Sequence, residues 1–325
     1  SDGYHFGDKQ VDKRADTAEL AGLLDIPSSH VITELPEPTN DTPALAPVQV
    51  PFGHPLWVLF SSGTTGKPKG IVHGHGGIVV EHVKVLGLHN EIGPGDVFFW
   101  HTALSWMMWN FQVAGLLMGA TIVTFSGHPL APDADRLWQI CDDNEVTFFG
   151  TSPGQLQASR KAGLEPGRDH DLSLRAIGST GSPLAPDLFT WIDDHVAAGL
   201  PVSSTSGGTD VCSAFCGGTP SIPYVPGELT VRYLGCALES WAPDRTPLIG
   251  EVGEGFGALG EGRGRGAGHG EGGRQRGGGE GRAQAALKRS GTGRPDGARD
   301  GNHNRPHLSQ DVLRSSPPSA DQESG

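Results

Sequence analysis

The run Ser61–Gly70 reads SSGTTGKPKG and gathers the groups that hold a polyanion. Backbone N–H groups can close on phosphate oxygens where glycine frees the chain, and Gly63, Gly66 and Gly70 supply that freedom. Ser61, Ser62, Thr64 and Thr65 place hydroxyls on either side of Gly63, while Lys67 and Lys69 add fixed positive charge. Pro68, between the two lysines, stiffens the end of the loop. A Walker-type loop needs four residues between its first glycine and a Gly-Lys-Ser/Thr ending. Here two residues separate Gly63 from Gly66, and Lys67 is followed by Pro68, so that reading is rejected. A flexible Ser/Gly/Thr linker is the competing reading. The apolar run Leu56–Phe60 before the loop and the Lys-Pro-Lys-Gly ending favour a triphosphate cradle after a buried strand.

The elements that must position such a loop follow from alternating apolar runs and helical patterns. Strands are expected at Leu56–Phe60, Val97–Trp100, Thr121–Phe125, Val146–Gly150, Leu174–Ser179 and Pro201–Ser206. Helices are expected near Gly77–Leu88, Met107–Leu117, Asp133–Asp142, Gln155–Ala162 and Pro186–Ala197. This alternation predicts an α/β domain with largely parallel sheets, whose ligands gather at the carboxyl ends of strands. Ser61–Gly70, Gly178–Pro183 and Ser206–Asp210 all fall at such ends, which argues for one shared site. Near Gly227–Trp241 the pattern shortens and becomes more β-like, as for a small closing sheet or barrel.

Composition sets the outer bounds. At 325 residues the chain can form one large domain or two moderate ones. A net charge of -13 argues against nucleic acid as a partner. No apolar run reaches the ~18–20 residues that span a bilayer, and the polar start Ser1–Gln10 is no signal peptide, so no membrane role is expected and the localisation is read as cytoplasmic. The lack of an initiator Met suggests a true N-terminus further upstream. Cys141, Cys212, Cys216 and Cys236 read as reduced thiols, with Cys212 and Cys216 as small buried hydrophobes rather than metal ligands. His73 and His75, two residues apart, point to opposite faces of a strand and read as structural polar residues beside the loop.

The string SSGTTGKPKG resembles the phosphate loop of the adenylate-forming enzymes: acyl-CoA synthetases, luciferases and peptide-synthetase adenylation domains. Within that superfamily, FFWHTALSWMMWNF at Phe98–Phe111, the segment Phe148–Leu184 and SSTSGGTDVCSAFCGGTP at Ser203–Pro220 are similar to the acetoacetyl-CoA synthetases. So are Ile71–Gly77 and Tyr4–Asp16, and the resemblance covers about residues 4–254. It implies the large N-terminal domain of the adenylate-forming fold: stacked, mostly parallel sheets flanked by helices, with a small β subdomain. It also implies ATP, Mg²⁺ and coenzyme A as cofactors and substrates, with acetoacetate or another short acid activated as an acyl-adenylate.

Residue roles follow from the same resemblance. Ser61, Ser62, Gly63, Thr64, Thr65, Gly66 and Lys67 would hold the β- and γ-phosphates, with Lys69 nearby. Thr209, beside Gly207 and Gly208, would donate to the α-phosphate; together with Lys67 it is the candidate catalytic residue. Asp210 would hold Mg²⁺, in place of the Glu that most relatives carry, or would simply cap a helix. Gly181, Ser182 and Pro183 would line the adenine. Trp106, Met107, Met108 and Trp109, with Gly150, Thr151 and Ser152, would border the acyl group. Gly207 stands where acetate-specific relatives have a bulky Trp, which implies room for a longer acid.

After GEVGE at Gly250–Glu254 the resemblance ends. Residues 255–325 are rich in Gly and Arg, lack Trp and Tyr, and have too little apolar area to offset ordering entropy. That tail is expected to be a disordered extension or the product of a reading-frame shift near codon 255. No segment of it resembles the family's mobile C-terminal domain or its catalytic lysine, so the chain is expected to be impaired, or to be a nucleotide-binding remnant that catalyses nothing.

Overall fold

The computed structural model describes residues 3–6, 9–24, 46–61, 68–241, 247–248 and 254–259. The chain begins with a hairpin of β1 (Gly3–Phe6) and β2 (Lys9–Asp12), followed by α1 (Arg14–Leu23), which buries no residue. Two strands, β3 (Pro55–Ser61) and β4 (Lys69–Gly74), flank the glycine-rich loop and pair antiparallel, Ser61 opposite Lys69. Helix α2 (His75–Val83) continues into a π-helical turn at Lys84–His89.

The central element is a five-stranded, all-parallel sheet in the order β6-β5-β7-β8-β9. Its strands are β5 (Val97–Trp100), β6 (Thr121–Ile122), β7 (Phe148–Thr151), β8 (Ala176–Ser179) and β9 (Val202–Ser204). Parallel strands covered on both faces need apolar residues in unbroken runs, and Val97–Trp100 and Phe148–Phe149 satisfy that need. Alternate side chains feed two cores. Phe98, Trp100 and Phe148 pack with Met107, Met108 and Phe111 of α3 (Met107–Val113) and with Ile78 of α2. Phe99, Phe149, Ile177 and Val202 pack on the other face against α4 (Arg136–Asp143), α5 (Pro153–Lys161) and α7 (Pro186–His195). A single turn, α6 (Pro166–Asp169), precedes β8.

Beyond β9 the sheets are antiparallel. β10 (Ser206–Gly208), β11 (Ser213–Gly217) and β12 (Val231–Arg232) form one; β13 (Cys236–Trp241), β14 (Pro247–Leu248) and β15 (Glu254–Leu259) form another. This matches the short β-like pattern expected near Gly227–Trp241.

Three expectations change. The glycine-rich loop lies between two antiparallel strands of a separate sheet, so it does not sit at the end of a strand of the parallel sheet as expected. β3 is not deeply buried: Val58 and Phe60 are 49% and 68% exposed, on the face shared with Val72 of β4. Its outward residues are as apolar as its inward ones, so the sequence reads as a buried run. Finally, Gly255–Leu259 belongs to β15, paired with β13 from Cys236↔Leu259 to Trp241↔Glu254; the remainder of the tail lies outside the described residues.

Candidate functional site

The carboxyl ends of the parallel strands are tied to one another. His101 N–H donates to the Gly150 carbonyl (2.8 Å), and Thr180 N–H to that of Thr151 (3.3 Å). The Thr180 hydroxyl donates to the Thr205 carbonyl (2.9 Å), and Thr205 N–H to that of Ser179 (2.9 Å). These bonds bring Gly150–Ser152, Ser179–Pro183 and the start of the Ser206–Asp210 motif to one edge of the sheet. The strand order reverses direction between β5 and β7, the position where open α/β sheets leave a crevice for ligands.

On that edge Gly181 has φ +96°, and a Cβ there would approach the Trp106 ring at 3.6 Å. The segment expected to line a base and the tryptophan expected to border the acid are therefore neighbours. Met107 and Met108 are buried within the core, behind Trp106. Gly150 and Gly178 are both overlaid by the Trp100 indole, which occupies the space their side chains would need. Thr151 is fully buried, and its hydroxyl has no partner among the described residues. Ser152 caps α5: its hydroxyl accepts from the Gln155 N–H.

The Ser206–Asp210 motif forms β10 and the first half of a turn, Thr209–Cys212, that leads into β11. Cys212 N–H donates to the Thr209 carbonyl (3.2 Å), and Cys212 takes φ +52°. Thr209 is half-buried; Asp210 is exposed and forms no ion pair with a described residue. The helix-cap alternative for Asp210 is not what the fold uses, because this segment is a β-turn. A cation here would meet one carboxylate and no cluster of three ligating side chains among the described residues. That donor set fits Mg²⁺ shared with phosphate oxygens, not a metal caged by protein.

A Cβ on Gly208 would meet open space, whereas one on Gly207 would collide with the Ser213 and Ala214 backbone at the bulge between Ser206 and Gly207. The glycine at 207 is thus required by strand pairing. The room inferred there for a longer acid is not an open hollow in this fold.

Two histidines hold the turn from behind. His73 Nε2 lies 3.1 Å from the Asp210 carbonyl, and His82 Nε2 lies 2.8 Å from that of Cys212. Burial pushes His82 down to about 4, although its bond to Cys212 opposes the shift. Burial also raises the Cys212 and Cys216 thiols to about 12 and about 11, so neither is a thiolate ligand near neutrality. All four cysteines are free, and Cys141, Cys212 and Cys216 are buried, as small hydrophobes should be.

A family model described as AMP-binding enzyme matches residues 7–240. The chain belongs to the AMP-binding enzyme family. It is 37% identical over 276 residues to an acetoacetyl-coenzyme A synthetase of Rhizobium meliloti (strain 1021), covering 78% of this chain and 42% of that protein. A malonamoyl-CoA synthetase of Penicillium aethiopicum is 37% identical over 231 residues, covering 66% of this chain and 32% of that protein. Among solved structures, an acetoacetyl-CoA synthetase from Streptomyces lividans superposes with a TM-score of 0.71 at 48% identity, covering 78% of this chain and 42% of that one. The chain therefore spans less than half the length of these relatives.

For this member of the AMP-binding family, two of the three motifs anticipated from sequence, Gly178–Pro183 and the start of Ser206–Asp210, meet at one edge. Ser61 and Lys69 close the β3–β4 hairpin; Ser62, Gly63, Thr64, Thr65, Gly66 and Lys67 lie outside the described residues. Ser182 and Pro183 are exposed, after Gly181. Sequence reasoning missed Trp100 as the cover of Gly150 and Gly178. It also missed the reach of His73 and His82 to the turn. The single available signal was His73, read beside His75 near the phosphate loop, which gives no hint of a partner 137 residues away; His82 drew no reading at all.

Proposed function

We propose that the site serves an ATP-dependent acid–thiol ligase that activates acetoacetate. In the first half-reaction the carboxylate attacks the α-phosphorus of ATP, forming acyl-adenylate and expelling diphosphate. In the second, the thiol of coenzyme A attacks the acyl carbonyl and AMP leaves. The observation that carries this reading is the meeting of Gly181, Trp106 and Thr205, the residue before the Ser206–Asp210 motif, at the strand ends of an AMP-binding domain. The acid is the one acted on by the Rhizobium and Streptomyces relatives, both acetoacetyl-CoA synthetases.

In this reading Ser61–Lys67, with Lys69, hold the β- and γ-phosphates, and Gly181, Ser182 and Pro183 lie along the adenine. The Thr209 hydroxyl donates to the α-phosphate. Asp210 holds Mg²⁺, which would offset charge on the phosphates when bound. Gly208, open on its Cβ side, lets the nucleotide approach the backbone closely. Trp106, backed by Met107 and Met108, borders the acyl group together with the Gly150–Thr151 strand end. Such catalysis is chiefly positioning and electrostatic stabilisation. A cytoplasmic location fits four free cysteines and the absence, among the described residues, of a helix long and apolar enough to cross a membrane.

ATP–diphosphate exchange, with acetoacetate, acetate or malonamate as the acid, tests the reading. Exchange that depends on acetoacetate is expected. Malonamate outpacing acetoacetate would move the acid toward that of the Penicillium relative. Failure to bind Mg·ATP in calorimetry would overturn the site itself.

A further inference from the structure

We infer that His73 and His82 are positioning residues that clamp the Thr209–Cys212 turn and thereby set where the Thr209 hydroxyl and the Asp210 carboxylate stand. The inference rests on the proposed role of that turn in nucleotide binding and names what holds it in place. Each imidazole faces a carbonyl oxygen, which only accepts, so each must carry its proton on Nε2. The Nδ1 atoms are then bare lone pairs, and both are buried without a partner among the described residues. The His82 ring is fully buried between the Trp57 and Phe111 rings, with centroids 6.1 and 5.7 Å away, so a second proton there would place a charge among aromatic groups.

The turn needs such support. Cys212 adopts a left-handed backbone conformation that an L-residue persists in only when its surroundings overdetermine it. The turn's own backbone bond fixes the Thr209 carbonyl. The two imidazoles fix the next carbonyl and the last, at Asp210 and Cys212. With those oxygens drawn inward, the half-buried Thr209 and exposed Asp210 side chains are left at the outer surface. His73 lies on β4, the strand that leaves the phosphate loop at Lys69, while His82 lies on the helix that follows. One continuous segment, β4 and the helix after it, thus supplies both imidazoles that hold the turn.

Three variants and one spectrum test the clamp. His73→Phe removes the donor, whereas His73→Gln keeps an N–H of similar reach. Calorimetry should show Mg·ATP binding weakened about tenfold in His73→Phe, the scale of one well-placed hydrogen bond, and largely restored in His73→Gln. Hydrogen exchange at the Cys212 amide should rise in the Phe variant and return toward wild type in the Gln variant, with urea midpoints nearly unchanged. Unaltered affinity and exchange in His73→Phe would overturn the clamp. So would a loss that tracks global stability and that Gln fails to rescue. His82→Gln extends the test; if it does not fold, imidazole ¹⁵N spectra of the unmodified chain decide, and an Nδ1–H tautomer at either histidine refutes the geometry. If the unmodified chain binds no Mg·ATP, the nucleotide reading fails, while exchange at Cys212 and the tautomers still judge the clamp.

Discussion

The parallel sheet and the β3–β4 hairpin each support part of the proposed nucleotide site, but they are built differently. In the sheet, both faces of β7 are covered: Phe148 lies in one core and Phe149 in the other, and its strand end is hydrogen-bonded to those of β5 and β8. In the hairpin, Trp57 and Leu59 pack inward while Val58, Phe60 and Val72 face outward and exposed. The sheet therefore draws its rigidity from packing on two sides. The hairpin draws its rigidity from one side and from the His73 bond to Asp210. The lesson is that the strand ends have a fixed geometry, whereas the hairpin's placement depends on a few polar contacts.

The largest expected difference between the two regions lies in packing. Phe149→Ala, in the fully buried sheet, should cost about 3–5 kcal/mol in urea unfolding. Phe60→Ser, in the hairpin, should stay within about 0.5 kcal/mol. Comparable losses would erase the distinction between a two-sided and a one-sided element.

The helix that follows the hairpin should lend the fold a pH dependence through His82, which it holds against the Cys212 carbonyl. Folded His82 titrates at about 4, against roughly 6.5 in the unfolded chain, a difference worth about 3 kcal/mol when fully developed. Below pH ~6.5 the unfolded state takes up a proton that the folded state refuses, so stability falls as pH drops toward ~4 and then levels. His82→Gln should lack this component; identical pH profiles of the urea midpoint for variant and parent would contradict the burial argument.

A smaller effect separates neighbouring glycines of the turn. Gly207→Ala forces a Cβ into the β11 backbone and should cost about 1–3 kcal/mol. Gly208→Ala meets open space, so it should leave the urea midpoint within about 0.5 kcal/mol while weakening Mg·ATP binding in calorimetry. Equal stability losses at the two positions would mean that the bulge does not distinguish them.

Much of the sheet was legible because its signals are local. Val97–Trp100 and Phe148–Phe149 are apolar without alternation, as strands buried on both faces must be. Ser152-Pro153 opens α5 with a cap and a proline in the first turn. Helix α4 starts at Arg136 rather than near Asp133, because Asp133 accepts from the Asp135 N–H in a turn before it. The hairpin was less legible: the strand read through His73 and His75 stops at Gly74, and His75 opens α2 instead. The role of Gly207 depends on a bulge opposite Ser213 and Ala214, which local sequence does not encode.

The indole laid across Gly150 and Gly178 has a consequence for the pocket's adaptability. Adding bulk at either glycine must eject a buried ring, so pocket size cannot be tuned gradually from those two strands. Shrinking Trp100 instead would hollow a flat chamber beneath the strand ends, ready-made for a planar guest. One residue of β5 thus governs whether this floor is sealed or hollow.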